Sequence, residues 1–235
     1  MSDVRTRWAA LSEEVAEVCR RAGRAPSSVE VLAVSKLQPV EALHAAYAAG
    51  VRAFGENYAQ ELRDKAAALA NLPDIRWHAI GALQTNKAKY VARSAHAFHA
   101  LDRVALADEL AQRRVGAPLV VYLEVNLGGE ATKSGLLPAE VGRLLDRVRA
   151  LPQLTAAGLM CLPPFAEDPE ASRPYFAQLR ELAAVHQLPG LSMGTSQDYA
   201  VAVQEGATVV RVGTAIFGPR PVLSRAPSAS FARLR

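Results

Sequence analysis

Three short stretches carry side chains that could do chemistry together. Lys36 ends the apolar run Val31-Leu32-Ala33-Val34-Ser35. A lysine held at the mouth of a buried sheet loses hydration, its pKa falls, and it becomes a nucleophile toward aldehydes. Gly194-Thr195-Ser196 and Gly213-Thr214 each combine a glycine with hydroxyls, and such loops offer N–H and O–H donors to a phosphate. Arg211 stands just before the second loop, and an arginine keeps its charge and only donates hydrogen bonds. Each stretch alone has a plainer meaning: a strand-end lysine snorkels into solvent, and a glycine–hydroxyl pair is a turn. The chemistry depends on whether the fold brings the three together.

The elements that would position them alternate between strands and helices. Residues 3–22 read as a helix, with Val4, Trp8, Leu11, Val15 and Val18 on one face. The strand ending in Lys36 follows, then a helix from Val40 to Ala49 and a strand from Val51 to Gly55. Glu56-Asn57-Tyr58 opens the next helix. Strands at 76–81 and 95–101 flank a helix at 84–93, and Asp102 is the expected cap of a helix at 103–112. The strongest strand pattern is Leu119 to Asn126. A polar loop and Pro138 lead into a helix bearing Val141, Leu144, Leu145 and Val148. Strands at 154–160, 190–193 and 208–212 complete the series. A helix marked by Phe176, Leu179, Leu182 and Val185 and a short one at 197–204 separate them, and Gly213 to Phe217 makes a last half-turn. Eight strands at this spacing imply parallel βαβ units closing into a single (β/α)8 TIM barrel with an extra N-terminal helix. The alternative is an open doubly wound sheet, disfavoured by the count and by the lack of a Gly-x-Gly-x-x-Gly turn. The barrel is expected over residues 1–220, and the Pro-, Ser- and Arg-containing residues 221–235 read as a mobile tail.

Composition narrows the class. The chain has 235 residues, half of them hydrophobic, and a net charge of +4 spread over scattered arginines, which does not point to nucleic acid. Cys19 and Cys161 are too far apart and too few for a disulfide scaffold or a zinc site. No apolar stretch is long enough to span a membrane and no secretory signal is present, so a cytoplasmic protein is expected.

Barrel sites form at the C-terminal ends of strands, and phosphates commonly bind after strands seven and eight. The candidates there are Lys36, Glu56 and Asn57, His78, the 126–134 loop, residues 193–196 and residues 211–214. A lysine nucleophile with a phosphate cradle suits a phosphorylated aldehyde held as a Schiff base. Pyridoxal 5′-phosphate (PLP) fits, as does a sugar phosphate in an aldolase-type barrel. Arg211 facing a pyridine nitrogen would keep it unprotonated. Plainer readings stand beside these: His78 as a satisfied core histidine, Asn57 as a helix cap, Cys161 as a buried inert thiol, and Lys87, Lys89 and Arg93 as a solvated helix face. Glu56 reads as structural, and Tyr122 and Tyr199 as packing residues.

Several segments occur in a telling order: Ala33-Val34-Ser35-Lys36, Phe54-Gly55-Glu56-Asn57-Tyr58, Trp77-His78-Ala79-Ile80-Gly81, Lys133-Ser134-Gly135, Gly158-Leu159-Met160, Ser192 to Asp198 and Val210 to Gly218. Together they resemble the pyridoxal phosphate homeostasis protein family, from the first helix to Arg220. The resemblance implies a barrel like the N-terminal domain of alanine racemase, with PLP covalently bound to Lys36. It implies Asn57 and His78 at the ring, Ser196, Gly213 and Thr214 at the phosphate with Met193 and Gly194 nearby, and Arg211 at the ring nitrogen. The reading that follows is a carrier that buffers PLP and hands it to apo-enzymes without turnover; a monomer is expected from the lack of a second domain, and no nucleic-acid partner, membrane partner or metal from the composition. Thr195 stands where many members carry Met, and Gln38 where some carry a second lysine; Lys133 matches a lysine proposed to relay PLP. The alternative is an amino-acid racemase, which needs a base on each face of the substrate. In alanine racemases the second base comes from a further domain, expected to be missing here.

Overall fold

The computed structural model describes residues 3–130 and 133–218. In chain order these form α1 (Val4–Arg21), β1 (Glu30–Val34), α2 (Val40–Ala48), β2 (Ala53–Glu56), α3 (Ala59–Ala68), β3 (Arg76–Ala79), α4 (Ala88–Ser94), β4 (Ala97–Leu101) and α5 (Val104–Arg113). There follow β5 (Leu119–Glu124), α6 (Val141–Arg149), β6 (Leu154–Met160), α7 (Arg173–Val185), β7 (Gly190–Thr195), α8 (Tyr199–Gln204), β8 (Val209–Val212) and the single turn α9 (Thr214–Phe217). The strands close in sequence order into a parallel barrel, with Glu30 to Ala33 of β1 registered on Val209 to Val212 of β8. This is the expected eight-stranded barrel with its extra N-terminal helix. The order is sequential because each crossover helix sets the next strand beside the one it left, and the pairing of β1 with β8 closes the ring.

The helices bury one stripe each. In α6, Val141, Leu144, Leu145 and Val148 face the strands while Arg143, Arg147 and Arg149 face water. Helix α1 buries Leu11, Val15, Val18 and Cys19 and packs against α2, α8 and α9. Asp3 caps it by accepting from the Thr6 N–H at 2.8 Å. Arg7 within it and Arg24 just beyond it tie it to the last helices. Arg7 Nε donates to Ile216 O at 2.7 Å, and Arg24 donates to Val203 O at 2.7 Å and Ala207 O at 2.8 Å.

Some local expectations change. Glu56 is the last residue of β2 and does not open a helix; α3 begins at Ala59, with Tyr58 as a cap that makes no side-chain bond. Asn57 therefore caps nothing. Asp102 does not cap α5 either: Arg103 holds the cap position, and the Asp102 carboxylate accepts from the Arg103 guanidinium at 2.6 Å. A salt-bridged neighbour has taken the oxygen that would have met the helix N–H groups. Val185, placed on the buried face of α7 by periodicity, is 75% exposed at the end of that helix. Tyr122 and Tyr199 are buried packing residues, as expected. The tail at 221–235, expected to be mobile, lies outside the described residues. No helix among the described residues is long and apolar enough to cross a membrane, and none of their His, Cys, Asp and Glu groups form a metal-binding cluster.

Candidate active site

A cavity of about 560 Å³ opens at the C-terminal end of the barrel. Lys36, Lys133, Arg211 and Glu124 are its charged lining residues, and Val34, Ile80, Val125, Met160 and Leu162 supply its apolar wall. Three cations against one carboxylate favour an anionic ligand.

Lys36 stands two residues beyond β1, in the turn Ser35–Gln38 closed by Gln38 N–H donating to Ser35 O at 3.0 Å. The turn is forced. Leu37 has φ 62°, a left-handed conformation that costs a branched side chain energy and that turns usually reserve for glycine. The Leu37 N–H is held there by the Glu61 carboxylate at 2.7 Å. Beneath the turn lies a buried ionic cluster. Lys65 Nζ from α3 donates at 2.7 Å to Ser35 O, Glu56 Oε1 and Glu61 Oε1, and the Ser35 hydroxyl donates to Glu56 Oε1 at 2.6 Å. Burial pushes the Glu56 carboxyl up, and the Lys65 and Ser35 bonds pull it back down. Both residues flanking Lys36 are thus pinned, so the lysine backbone is fixed from below and from the outer side.

The β7 and β8 loops form the adjoining wall, since β8 pairs with β1. Ser196, Gly213 and Thr214 line the cavity, and the Gly213 N–H donates to Ser196 Oγ at 3.2 Å, which sets the two loops side by side. Asp198 closes the β7 loop by accepting from Thr195 N at 2.7 Å and Thr195 Oγ1 at 2.9 Å. The Thr195 hydroxyl, as well as its backbone N–H, is therefore occupied in shaping the turn, and Met at this position would lack the hydroxyl's bond. Met193 and Gly194 do not line the cavity. Met193 is fully buried, and Gly194, at φ 90°, packs so closely that a Cβ would come within 2.5 Å of Ala202.

Arg211 lies in the floor, 7% exposed. Its Nη1 donates to Ser192 O at 2.7 Å and Ser192 Oγ at 2.8 Å, and its Nη2 donates to Cys161 O at 3.0 Å. From Ser192 a chain of bonds runs inward: Ser192 Oγ to His99 Nδ1 at 2.8 Å, and His99 Nε2 to His78 Nδ1 at 2.9 Å. Burial keeps both imidazoles neutral, pushing His78 down to about 3 and His99 well below its usual range. A neutral imidazole has one N–H, so the Ser192–His99 and His99–His78 bonds must run in the same direction. His78 Nε2 is buried without a partner. His78 does not line the cavity; Ile80, two residues on, does. The histidine thus belongs to the layer of side chains below the floor.

Glu124 was not singled out in the sequence. It ends β5, the side chain lines the cavity, and its Oε2 is buried with no hydrogen-bond partner. Burial, reinforced by repulsion from Asp102 and opposed by Arg211, pushes its carboxyl up to about 7. The signal was an acid at the C-terminal end of an otherwise apolar barrel strand. Asn126 of the following loop also faces the cavity, its amide donating to Glu130 O at 2.9 Å. Of the expected residues, the structure brings together Lys36, Asn57, Ser196, Arg211, Gly213 and Thr214, with Gln38 and Lys133 at the same cavity. Lys133 pairs with Glu130 and reaches Pro163 O at 3.2 Å. Cys161 is buried and its thiol is pushed up to about 12, so it stays protonated.

Comparison with known proteins agrees with this geometry. The model of the alanine racemase N-terminal domain family matches residues 7–221. A pyridoxal phosphate homeostasis protein of Aquifex aeolicus is 44% identical over 216 residues, covering 88% of this chain and 94% of that protein. One of Pseudomonas aeruginosa is 43% identical over 224 residues, covering 94% and 97%. Among solved structures, PipY of Synechococcus elongatus, known without PLP and with PLP bound, is 38% identical. It covers 92% of this chain and all of its own, with TM-scores of 0.81 and 0.80. Alanine racemase of Corynebacterium glutamicum, at 19% identity and TM-score 0.64, shares the barrel fold. The chain therefore belongs to the alanine racemase N-terminal domain family and, within it, to the pyridoxal phosphate homeostasis proteins.

Proposed function

We propose that this barrel binds PLP, joined to Lys36 Nζ as a Schiff base, and serves in PLP homeostasis as a cytoplasmic monomeric carrier without turnover. The observation that carries the reading is convergence. Lys36 from the β1 turn, the Ser196, Gly213 and Thr214 donors and the Arg211 cation all line one cavity. These residues fit the cofactor: an amine for its aldehyde, hydroxyl and N–H donors for its phosphate, and a donor-only cation for its ring nitrogen. When bound, PLP supplies an electron sink for reactions at amino-acid carbons. An arginine at the ring nitrogen weakens that sink, which favours holding the cofactor over turning over a substrate. Apo-enzymes that need the cofactor are the partners this role calls for.

The test is an absorbance spectrum of the purified protein, then borohydride reduction and peptide mass mapping. The expected result is a visible band and a phosphopyridoxyl adduct on Lys36, both lost in Lys36→Ala. No band after incubation with excess PLP, and no adduct on Lys36, would overturn the reading. The racemase alternative has one point in its favour, Glu124, a carboxyl in the cavity able to exchange a proton near neutrality. Solvent deuterium exchange at Cα of L-alanine separates the two: the carrier reading expects none at enzymatic rates.

A further inference from the structure

The cavity is lined from both sides of the barrel ring. Strands β1 and β8 are neighbours, and with β7 they supply Lys36, Arg211 and the phosphate-side loops. Strand β5 lies diametrically across the ring of eight strands from β1. At its end stands Glu124, the one acidic side chain among the described lining residues. Among the described residues, nothing donates a hydrogen bond to its Oε2. Arg211 is committed to Ser192 and Cys161 O, and Glu124 Oε2, although buried, accepts no hydrogen bond. A buried carboxylate without a donor is costly, so such a group is retained where a ligand supplies the donor. The apolar wall nearby, Val125 and Met160, suits a short aliphatic stem.

We propose that Glu124 forms a second ligand position in this cavity, which accepts the ammonium group of a small primary amine such as an amino acid. The inference rests on the reading that PLP occupies the Lys36 side. The chemistry is recognition of a cation with N–H donors. The ammonium donates to Glu124 Oε2, and no bond to carbon is made or broken. Other charges act on the position: Arg211 from β8, Lys36 after β1 and Lys133 from the β5–α6 loop line the same cavity, and Asp102 after β4 repels Glu124. The cations oppose a second cation, so the ammonium fits only with Glu124 ionised. Binding should then weaken as the carboxyl protonates.

Wild-type protein loaded with PLP and reduced with borohydride is titrated calorimetrically with n-propylammonium chloride at pH 8. Saturable binding is expected, at least 10-fold weaker in Glu124→Gln, and weaker by a similar factor for tetramethylammonium, which has no N–H. In the wild type, binding should fall about tenfold for each pH unit below about 7, a readout that needs no variant. Equal binding by wild type and Glu124→Gln, a pH-independent affinity, or no saturable binding by the wild type would each overturn the proposal. Peptide mapping of the same reduced sample reports separately on Lys36. If no adduct is found there, the PLP reading fails, and the same titration of the protein as purified still decides Glu124.

Discussion

At the scale of single residues, Glu124 has a consequence for stability as well as for binding. Its carboxyl titrates at about 7 in the fold against an ordinary value of 4.5. The folded state therefore binds a proton more tightly than the unfolded chain, and this group's contribution is largest below pH 4.5 and is lost as pH rises through 7. Glu124→Gln removes the effect. Chemical denaturation of both proteins should show the variant gaining about 3 kcal/mol on the wild type between pH 4.5 and pH 7.5. A constant difference across that range would mean Glu124 is not held away from water. Lys36, Arg211 and Ser196 could be placed at the cavity from the sequence because each stands at or near the C-terminal end of a barrel strand, and three such groups on β1, β7 and β8 meet at one mouth. Glu124 was not, because whether its side chain faces the cavity depends on strand register. His78 shows the same limit, since a strand position alone does not say which layer of the interior it fills.

At the scale of elements, the turn that carries Lys36 is held by groups from β2 and α3. Lys65 is 5% exposed and bridges Ser35 O, Glu56 and Glu61. Lys65→Met leaves Glu56 buried without its cation, and breaking such a pair costs about 3–5 kcal/mol. Thermal unfolding should record that loss, and borohydride trapping should show slower adduct formation at Lys36 because Ser35 O loses its donor. An unchanged trapping rate would mean that the turn holds itself. Helices and strands were legible to within a few residues, since apolar periodicity reports burial directly. The ends were not. Periodicity is silent on whether Asp102 meets a helix N–H or the neighbouring Arg103, and on the left-handed turn at Leu37, a residue type that gives no hint of it.

At the scale of the molecule, the pair of buried imidazoles makes the barrel sensitive to acid. His78 and His99 are neutral in the fold, with pKa values depressed below the ordinary 6.5. Their contribution is fully present above pH 6.5 and lost as pH falls, because only the unfolded chain takes up the protons. The expected slope is about 1.4 kcal/mol per pH unit for each histidine below 6.5. Stability measured from pH 7 to pH 5 should fall less steeply in His99→Gln, and an identical profile would count against the buried pair.

Closure of the barrel fixes when the protein can begin to work. The cavity joins Lys36, near the beginning of the chain, to Arg211 and Thr214 near its end, and Arg7 of α1 anchors the last turn at Ile216. A chain still emerging from the ribosome holds the lysine early but has neither the last strand nor the anchor for it. The complete cavity therefore exists only once β8 has been made and has paired with β1, so the lysine turn waits on the last strand of the ring.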